Sequence, residues 1–174
     1  MLEMVDFVRD KANKLYSSEL RIAVLQSYGT SQWLTDGLIS PEDFSWQGLK
    51  ASGASNFGNT LNELNNKLSR AQFLVSEVGF KAPVIIFMSD GEPTDDYESA
   101  LNKIKSNNKW FQVATKIAIA VGDDANIQVL QKIAGNKEAV IKVDDLETLK
   151  KLIRVVSVTA SMIGSKSKTE DNQT

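Results

Sequence analysis

The 174-residue chain contains no cysteine and no histidine. Those absences remove disulfides, thiolate zinc sites, cysteine nucleophiles and every catalytic scheme built on imidazole, so any chemistry must use oxygen donors. Proline is scarce, at 3 residues, and aromatic side chains make up 7%. Apolar runs such as Val84 to Met88 fall far short of the roughly 20 residues a bilayer-spanning helix needs, so no membrane crossing is expected. There is no block of like charge and the net charge is -2, so nothing attracts a phosphate backbone and nucleic acid is not an expected partner. The opening MLEMVDFVRD is acidic and amphipathic where a secretory leader needs a basic start and an apolar block. A cytoplasmic location is the expectation, and the lack of cysteine suits it.

What is present fits one domain over residues 1–164, followed by a polar tail over 165–174 that is too poor in apolar residues to order itself. Val5, Val8, Ala12 and Leu15 form a helical stripe. LRIAVLQS, Leu20 to Ser27, reads as a strand, with a short partner over Gln32 to Thr35. Ser40-Pro41 opens a brief helical turn. Phe57, Leu61, Leu64 and Leu68 recur at helical spacing. Val84 to Met88 is apolar at every position, which predicts a strand buried on both faces of a parallel sheet. A second buried strand is expected over Lys116 to Val121 and an edge strand over Ala139 to Val143. Between and after them lie helices with expected caps at Asp95 with Glu98, at Asp123 or Asp124, and at Asp144 with Glu147. The last helix carries the stripe Leu146 to Ile163. Strands alternating with helices predict an α/β three-layer sandwich, doubly wound around a mainly parallel sheet, with the ligand site outside the carboxyl ends of its strands.

Two of the loops at those ends carry oxygen donors. Asp90 stands just past a buried strand, with Gly91 permitting close backbone approach and Pro93 stiffening the exit. Ser55 offers a hydroxyl in the loop Gly53-Ala54-Ser55-Asn56-Phe57-Gly58. Taken singly, each also reads as a turn or a helix cap, and Asp95 and Asp96 favour capping.

The run VIIFMSDGEPTDDYESAL resembles the fourth-strand motif of von Willebrand factor A domains, in particular their bacterial tellurium-resistance (TerY-like) branch. The order of elements agrees over essentially the whole chain. The resemblance implies a protein-binding module, not an enzyme, whose metal-ion-dependent adhesion site (MIDAS) captures an acidic residue of a protein partner. Asp90 matches the family's metal-contacting Asp. Ser55 takes the place of its Thr, with Gly53, Gly58 and Leu61 matching the surrounding G-x-T-x-x-G-x-x-L. Hydroxyl, carboxylate and water oxygens suit Mg²⁺ or Mn²⁺. The resemblance also suggests a tellurite or stress-response setting.

The family's D-x-S-x-S motif, which follows its first strand, has no match in the chain, and the sequence opens on the helix that should follow that strand. In the family order 3-2-1-4-5-6 the first strand is the centre of the sheet, so its loss would leave unpaired backbone on two neighbours. Three accounts stand open: Met1 is an internal start or the chain a fragment, another chain supplies the strand, or the sheet closes without it. Exposed apolar faces would in that case favour a homodimer. Two further functions remain: a metal-independent scaffold with a degenerate site, and a metal-dependent phosphoryl-transfer or hydrolase enzyme using Asp90, Glu92, Asp95, Asp96, Asp123 and Asp124. The enzyme is disfavoured because no Lys-bearing phosphate loop or activated nucleophile is present. With only Asp90 and Ser55 as donors, the isolated chain is expected to bind Mg²⁺ or Mn²⁺ weakly or not at all. Calorimetric titration checks this, and micromolar affinity for the monomer would contradict it.

Overall fold

The computed structural model describes residues 21–45, 54–75, 81–145, 147–152 and 154–155. The helix expected at the start, Leu20, Trp46, Gly53, Leu146, Ile153, the part of the last stripe beyond residue 155 and the expected polar tail therefore lie outside the described residues.

Among these residues the chain starts with a hairpin. β1 (Leu25–Tyr28) and β2 (Thr30–Trp33) pair antiparallel, with Leu25 opposite Trp33 and Tyr28 opposite Thr30. Gly29 makes the turn at φ 59°, in the left-handed region that glycine enters without steric cost. Strands were expected here over Leu20–Ser27 and Gln32–Thr35, and the Gly29 turn moves both. Uniformly apolar residues cannot say where pairing starts, whereas a tight turn fixes it. Ile22 keeps an isolated antiparallel bridge to Ile39, and the buried Thr35 accepts a hydrogen bond from Val24 N at 3.2 Å. Pro41–Asp43 forms a single 3-10 turn, at the Ser-Pro signal that predicted one.

The second sheet is parallel and has the order β3-β4-β5, from Val84–Ser89, Thr115–Val121 and Val140–Val143. Val84 lies opposite Thr115 and Ser89 opposite Ala120, while Ala118 lies opposite Val140 and Val121 opposite Val143. β5 is an edge strand, as its shorter apolar run implied. Parallel strands require crossovers: α1 (Phe57–Lys67) precedes β3, α2 (Tyr97–Asn107) and the short α3 (Lys109–Val113) lie between β3 and β4, and α4 (Ile127–Ala134) lies between β4 and β5. Residues 147–152 and 154–155 are helical as well.

Side chains alternate across β4 and thereby define layers. Ala118 and Ala120 pack with Leu130 and Ala134 of α4, while Ile119 and Val143 pack with Leu149 and Leu152. Helices thus lie on both faces of the sheet at β4, the layering expected of an α/β sandwich. The largest core cluster joins Phe57 and Leu61 of α1 to Leu101 and Ile104 of α2, and Ile85 and Phe87 of β3 pack against it. Phe57 meets Phe87 edge to face, with ring centroids 5.1 Å apart. At the far end of α2 the buried Asn108 donates to Leu68 O at 3.1 Å and to Asn65 Oδ1 at 3.0 Å, and accepts from Phe111 N at 3.0 Å. This one residue therefore ends α2 with its backbone N–H, which donates to Ile104 O at 3.0 Å, starts α3 with its side chain, and ties both to the end of α1.

β3 corrects one expectation. It is not buried on both faces: Ile85 and Phe87 turn inward, while Val84, Ile86 and Met88 are 37%, 37% and 43% exposed. β4 is the strand that is enclosed, with Ala118, Ile119 and Ala120 all at 0%. An apolar run states what a strand can bury, but the elements packed on it decide what is buried.

Ile104 is fully buried in the largest cluster. Ile104→Ala should therefore cost about 2–5 kcal/mol in urea denaturation through lost transfer energy and the cavity left behind. A loss no larger than the ~0.5 kcal/mol of a surface substitution would place Ile104 outside the core.

Candidate metal centre

The site begins with the way α1 starts. A helix N-terminus leaves its first amides without partners inside the helix. Asn56 was expected to cap α1 and occupies the N-cap position, yet its side chain makes no capping bond. The cap comes from 37 residues further along: Asp95 Oδ1 accepts from Gly58 N at 2.8 Å, and Asp95 Oδ2 accepts from Asn59 N at 2.9 Å. Asp95 was expected to cap the following helix together with Glu98. That role falls to Asp96, which accepts from Ser99 N at 3.2 Å, while Glu98 pairs with Lys132 at 2.6 Å. Two adjacent aspartates before a helix look interchangeable in sequence. Only the position of α1 decides which of them faces it.

The same approach fixes Gly58. A Cβ there would lie 2.8 Å from Asp96 O and 3.0 Å from Asp95 Oδ2. Glycine is thus required by proximity and not by backbone angle, a spacing that any larger residue would force apart. Further bonds stitch the Ser55 loop to the chain after β3. Thr94 N donates to Ser55 O at 3.0 Å and Thr94 Oγ1 donates to Asn56 Oδ1 at 3.0 Å. Asn56 Nδ2 in turn donates to Gly29 O in the hairpin turn. Ser31 Oγ and Thr60 Oγ1 lie 3.0 Å apart and bond the hairpin to α1 as well.

These links bring the loops of the two predicted donors together. Ser55 is half-buried and Asp90 is exposed just past the end of β3. Ser55 Oγ lies 3.7 Å from the point where a Cβ would sit on Gly91, the residue next to Asp90. The turn around Asp90 is held locally, since Ser89 Oγ accepts from Gly91 N at 3.2 Å. The loop after β4 joins it through Asn126, whose Nδ2 donates to Glu92 Oε2 at 2.7 Å and whose N lies 3.5 Å from Gly91 O.

Several of the other carboxylates already have partners. Hydrogen bonding to Ser99 holds the Asp96 carboxyl below its ordinary range. The hydrogen bond from Lys132, with its charge, does the same for Glu98, and Lys142 does it for Asp123. Asp123 and Asp124 were expected to offer a cap to α4, but Asn126 is the cap and accepts from Val129 N at 3.0 Å. Asp145 similarly replaces Asp144 as a cap, accepting from Thr148 N at 2.8 Å. Among the described residues no three carboxylates converge into a metal-binding group, so the six acids considered for an enzyme site do not form one cluster. Ser55 and Asp90, one hydroxyl and one carboxylate, stand on loops that come together, and donors of these types suit a hard cation that keeps water in its shell. Sequence reasoning picked out Asp90 and Ser55 as candidates and missed the parts played by Asp95, Asn56 and Thr94 in joining their loops. The one available signal was Gly58, a glycine in the first turn of a helix.

The fold is an α/β sandwich, and the loops carrying the candidate donors Asp90 and Ser55 meet beyond the carboxyl end of β3. A profile of the von Willebrand factor type A domain matches residues 47–155, and the chain belongs to that family. Domains of this family serve in general as protein-interaction modules, typically with a MIDAS. Solved structures share the fold. Proximal thread matrix protein 1 from the mussel byssus is 20% identical, with a TM-score of 0.65 over 91% of this chain and 42% of its own. A second structure of that protein, with a zinc-occupied MIDAS motif, is 19% identical at a TM-score of 0.63, over 91% of this chain and 43% of its own. A von Willebrand factor type A protein from Catenulispora acidiphila is 17% identical at a TM-score of 0.64, over 92% of this chain and 37% of its own. The chain thus spans well under half the length of these structures. No curated protein sequence matches it. Among the described residues no helix is long and apolar enough to cross a membrane.

Gly58 supplies a test of this geometry. Replacing a helical glycine with alanine ordinarily stabilises by about 0.4–1 kcal/mol. Gly58→Ala should instead destabilise by about 1–3 kcal/mol, because the new methyl would strike the Asp96 carbonyl. Thermal unfolding of both proteins reads the sign, and a stabilised variant would contradict the contact.

Proposed function

We propose that this domain captures a protein partner through a divalent cation held by Asp90 and Ser55. The observation that carries the reading is the approach of the Ser55 hydroxyl to Gly91, which brings a neutral oxygen donor to the loop that carries the exposed Asp90. Asp90 would supply the single negative charge and Ser55 a hydroxyl oxygen, while their loops are held by Asp95, Thr94 and Asn56. A bound Mg²⁺ or Mn²⁺ would supply Lewis acidity and an open coordination position, which an acidic side chain of the partner could take. With one carboxylate in the donor set, much of the cation's charge stays unneutralised, which favours an anionic partner group over a neutral one. The described residues include no group of three carboxylates that would make the cation bind tightly on its own. Partner and cation are therefore expected to bind together.

A second reading, of a metal-independent scaffold, draws on the same shortage of donors and on the pairing of Asp123 with Lys142 at 2.8 Å. A non-enzymatic role, a cytoplasmic location and a tellurite or stress-response setting follow from the resemblance to the tellurium-resistance branch and are part of the same proposal.

The two readings separate on metal dependence. Mn²⁺ titrated into the isotope-labelled chain should broaden the amide resonances of Ser55 and Gly91 first, and Asp90→Ala should abolish this at the same concentrations. Capture of a partner should then be lost in EDTA and restored by excess Mg²⁺. Capture that survives both the chelator and Asp90→Ala favours the scaffold.

A further inference from the structure

Resting on the cation reading, we propose that Asp95 is a positioning residue for the site: it makes no contact with the cation but holds the Ser55 and Asp90 loops at the separation that ligation requires. Both of its carboxylate oxygens are engaged, one by Gly58 N and the other by Asn59 N, so the carboxylate faces the start of α1. Asp95 belongs to the loop that carries Asp90, and the amides it accepts from belong to the helix that follows Ser55. A carboxylate across a helix N-terminus is favoured by charge as well as by hydrogen bonding, because the first amides of a helix carry its positive end. The bond is therefore a stiff strut between two donor-bearing loops, and the Gly58 contact with Asp96 O sets how close they come. Thr94 N to Ser55 O, at 3.0 Å, is a second strut on the same two segments.

The neighbouring aspartate provides the internal comparison. Asp96 also caps a helix, by accepting from Ser99 N, but that helix begins in its own loop and the bond spans three residues. Loss of either cap should lower stability to a similar degree. Only loss of Asp95 should loosen one donor loop from the other. Groups that orient metal ligands without touching the metal commonly cost about 10–100-fold in affinity when removed.

The experiment uses the full chain and Mn²⁺ alone, with amide broadening at Ser55 and Gly91 giving the dissociation constant, and thermal unfolding giving stability. Asp95→Ala should weaken Mn²⁺ binding by about 10–100-fold. Asp95→Asn, which keeps an oxygen for one amide, should fall between it and the unaltered protein and serves as the readable variant if Asp95→Ala does not fold. Asp96→Ala should lower the unfolding temperature comparably yet leave the Mn²⁺ constant within about twofold, since its cap ties no donor loop to another. If Asp95→Asn and Asp95→Ala bind Mn²⁺ as the unaltered protein does, while Asp90→Ala abolishes binding, the positioning role is overturned and the cation reading stands. If Asp96→Ala weakens Mn²⁺ as much as Asp95→Ala, the effect is one of general stability and the role is likewise overturned. If the unaltered protein shows no Mn²⁺ broadening at Ser55 or Gly91, the cation reading fails and takes this proposal with it.

Discussion

A single carboxylate joins the parts of this domain that matter for its site. Asp95 lies across the first amides of α1, and through it the segment after β3 is bound to the segment before α1. Helix N-termini attract negative charge because their amides point outward unpaired and their peptide dipoles add. The bond therefore satisfies α1 and fixes the loop at the same time. Gly58 is the steric half of the arrangement: without a side chain it lets the Asp96 carbonyl come close enough for the Asp95 carboxylate to reach both amides. Asn56, released from capping its own helix, extends the connection to Thr94 and to the hairpin turn at Gly29. Three loops distant in sequence are held as one surface.

That surface stands where it does because of the sheet. β3 and β4 run parallel, so their carboxyl ends, and the loops that leave them, emerge on the same side. The small residues Ala118 and Ala120 let α4 pack close to β4, and Asn126 at the start of α4 reaches the Glu92 carboxylate. Packing in the middle of the domain thus determines which acids meet at its edge. Most of them meet partners within the chain: Glu98 with Lys132, Asp123 with Lys142, Asp96 with Ser99 and Asp95 with α1. Each of those bonds uses lone pairs of the carboxylate, which leaves less to offer an outside cation. Asp90 is exposed, on the loop whose Gly91 the Ser55 hydroxyl approaches.

Much of this was legible in the residues. The apolar stripe from Phe57 to Leu68, the β-rich runs of β3 and β4, and the glycine that closes α4 at Gly135 with φ 77° each mark their element, because periodicity and glycine angles are local properties. Caps were less legible. Asp95, Asp96, Asp123, Asp144 and Asp145 are all chemically suited to cap a helix, and a cap is decided by distances of a few tenths of an ångström. The two-faced burial inferred for Val84 to Met88 went astray for a related reason, since composition cannot report what lies above a strand.

The sequence by itself determined the chemistry available: with no histidine or cysteine, and with Ser55 and Asp90 placed at the ends of regular elements, only an oxygen-donor site could be built. It also determined the fold family, because the strand-loop-helix run VIIFMSDGEPTDDYESAL carries its own hydrophobic and turn signals. Tertiary structure alone decided which loops meet. That depends on contacts across 37 residues, between Asp95 and Gly58, whose energies come from the approach of two segments and not from the propensities of either.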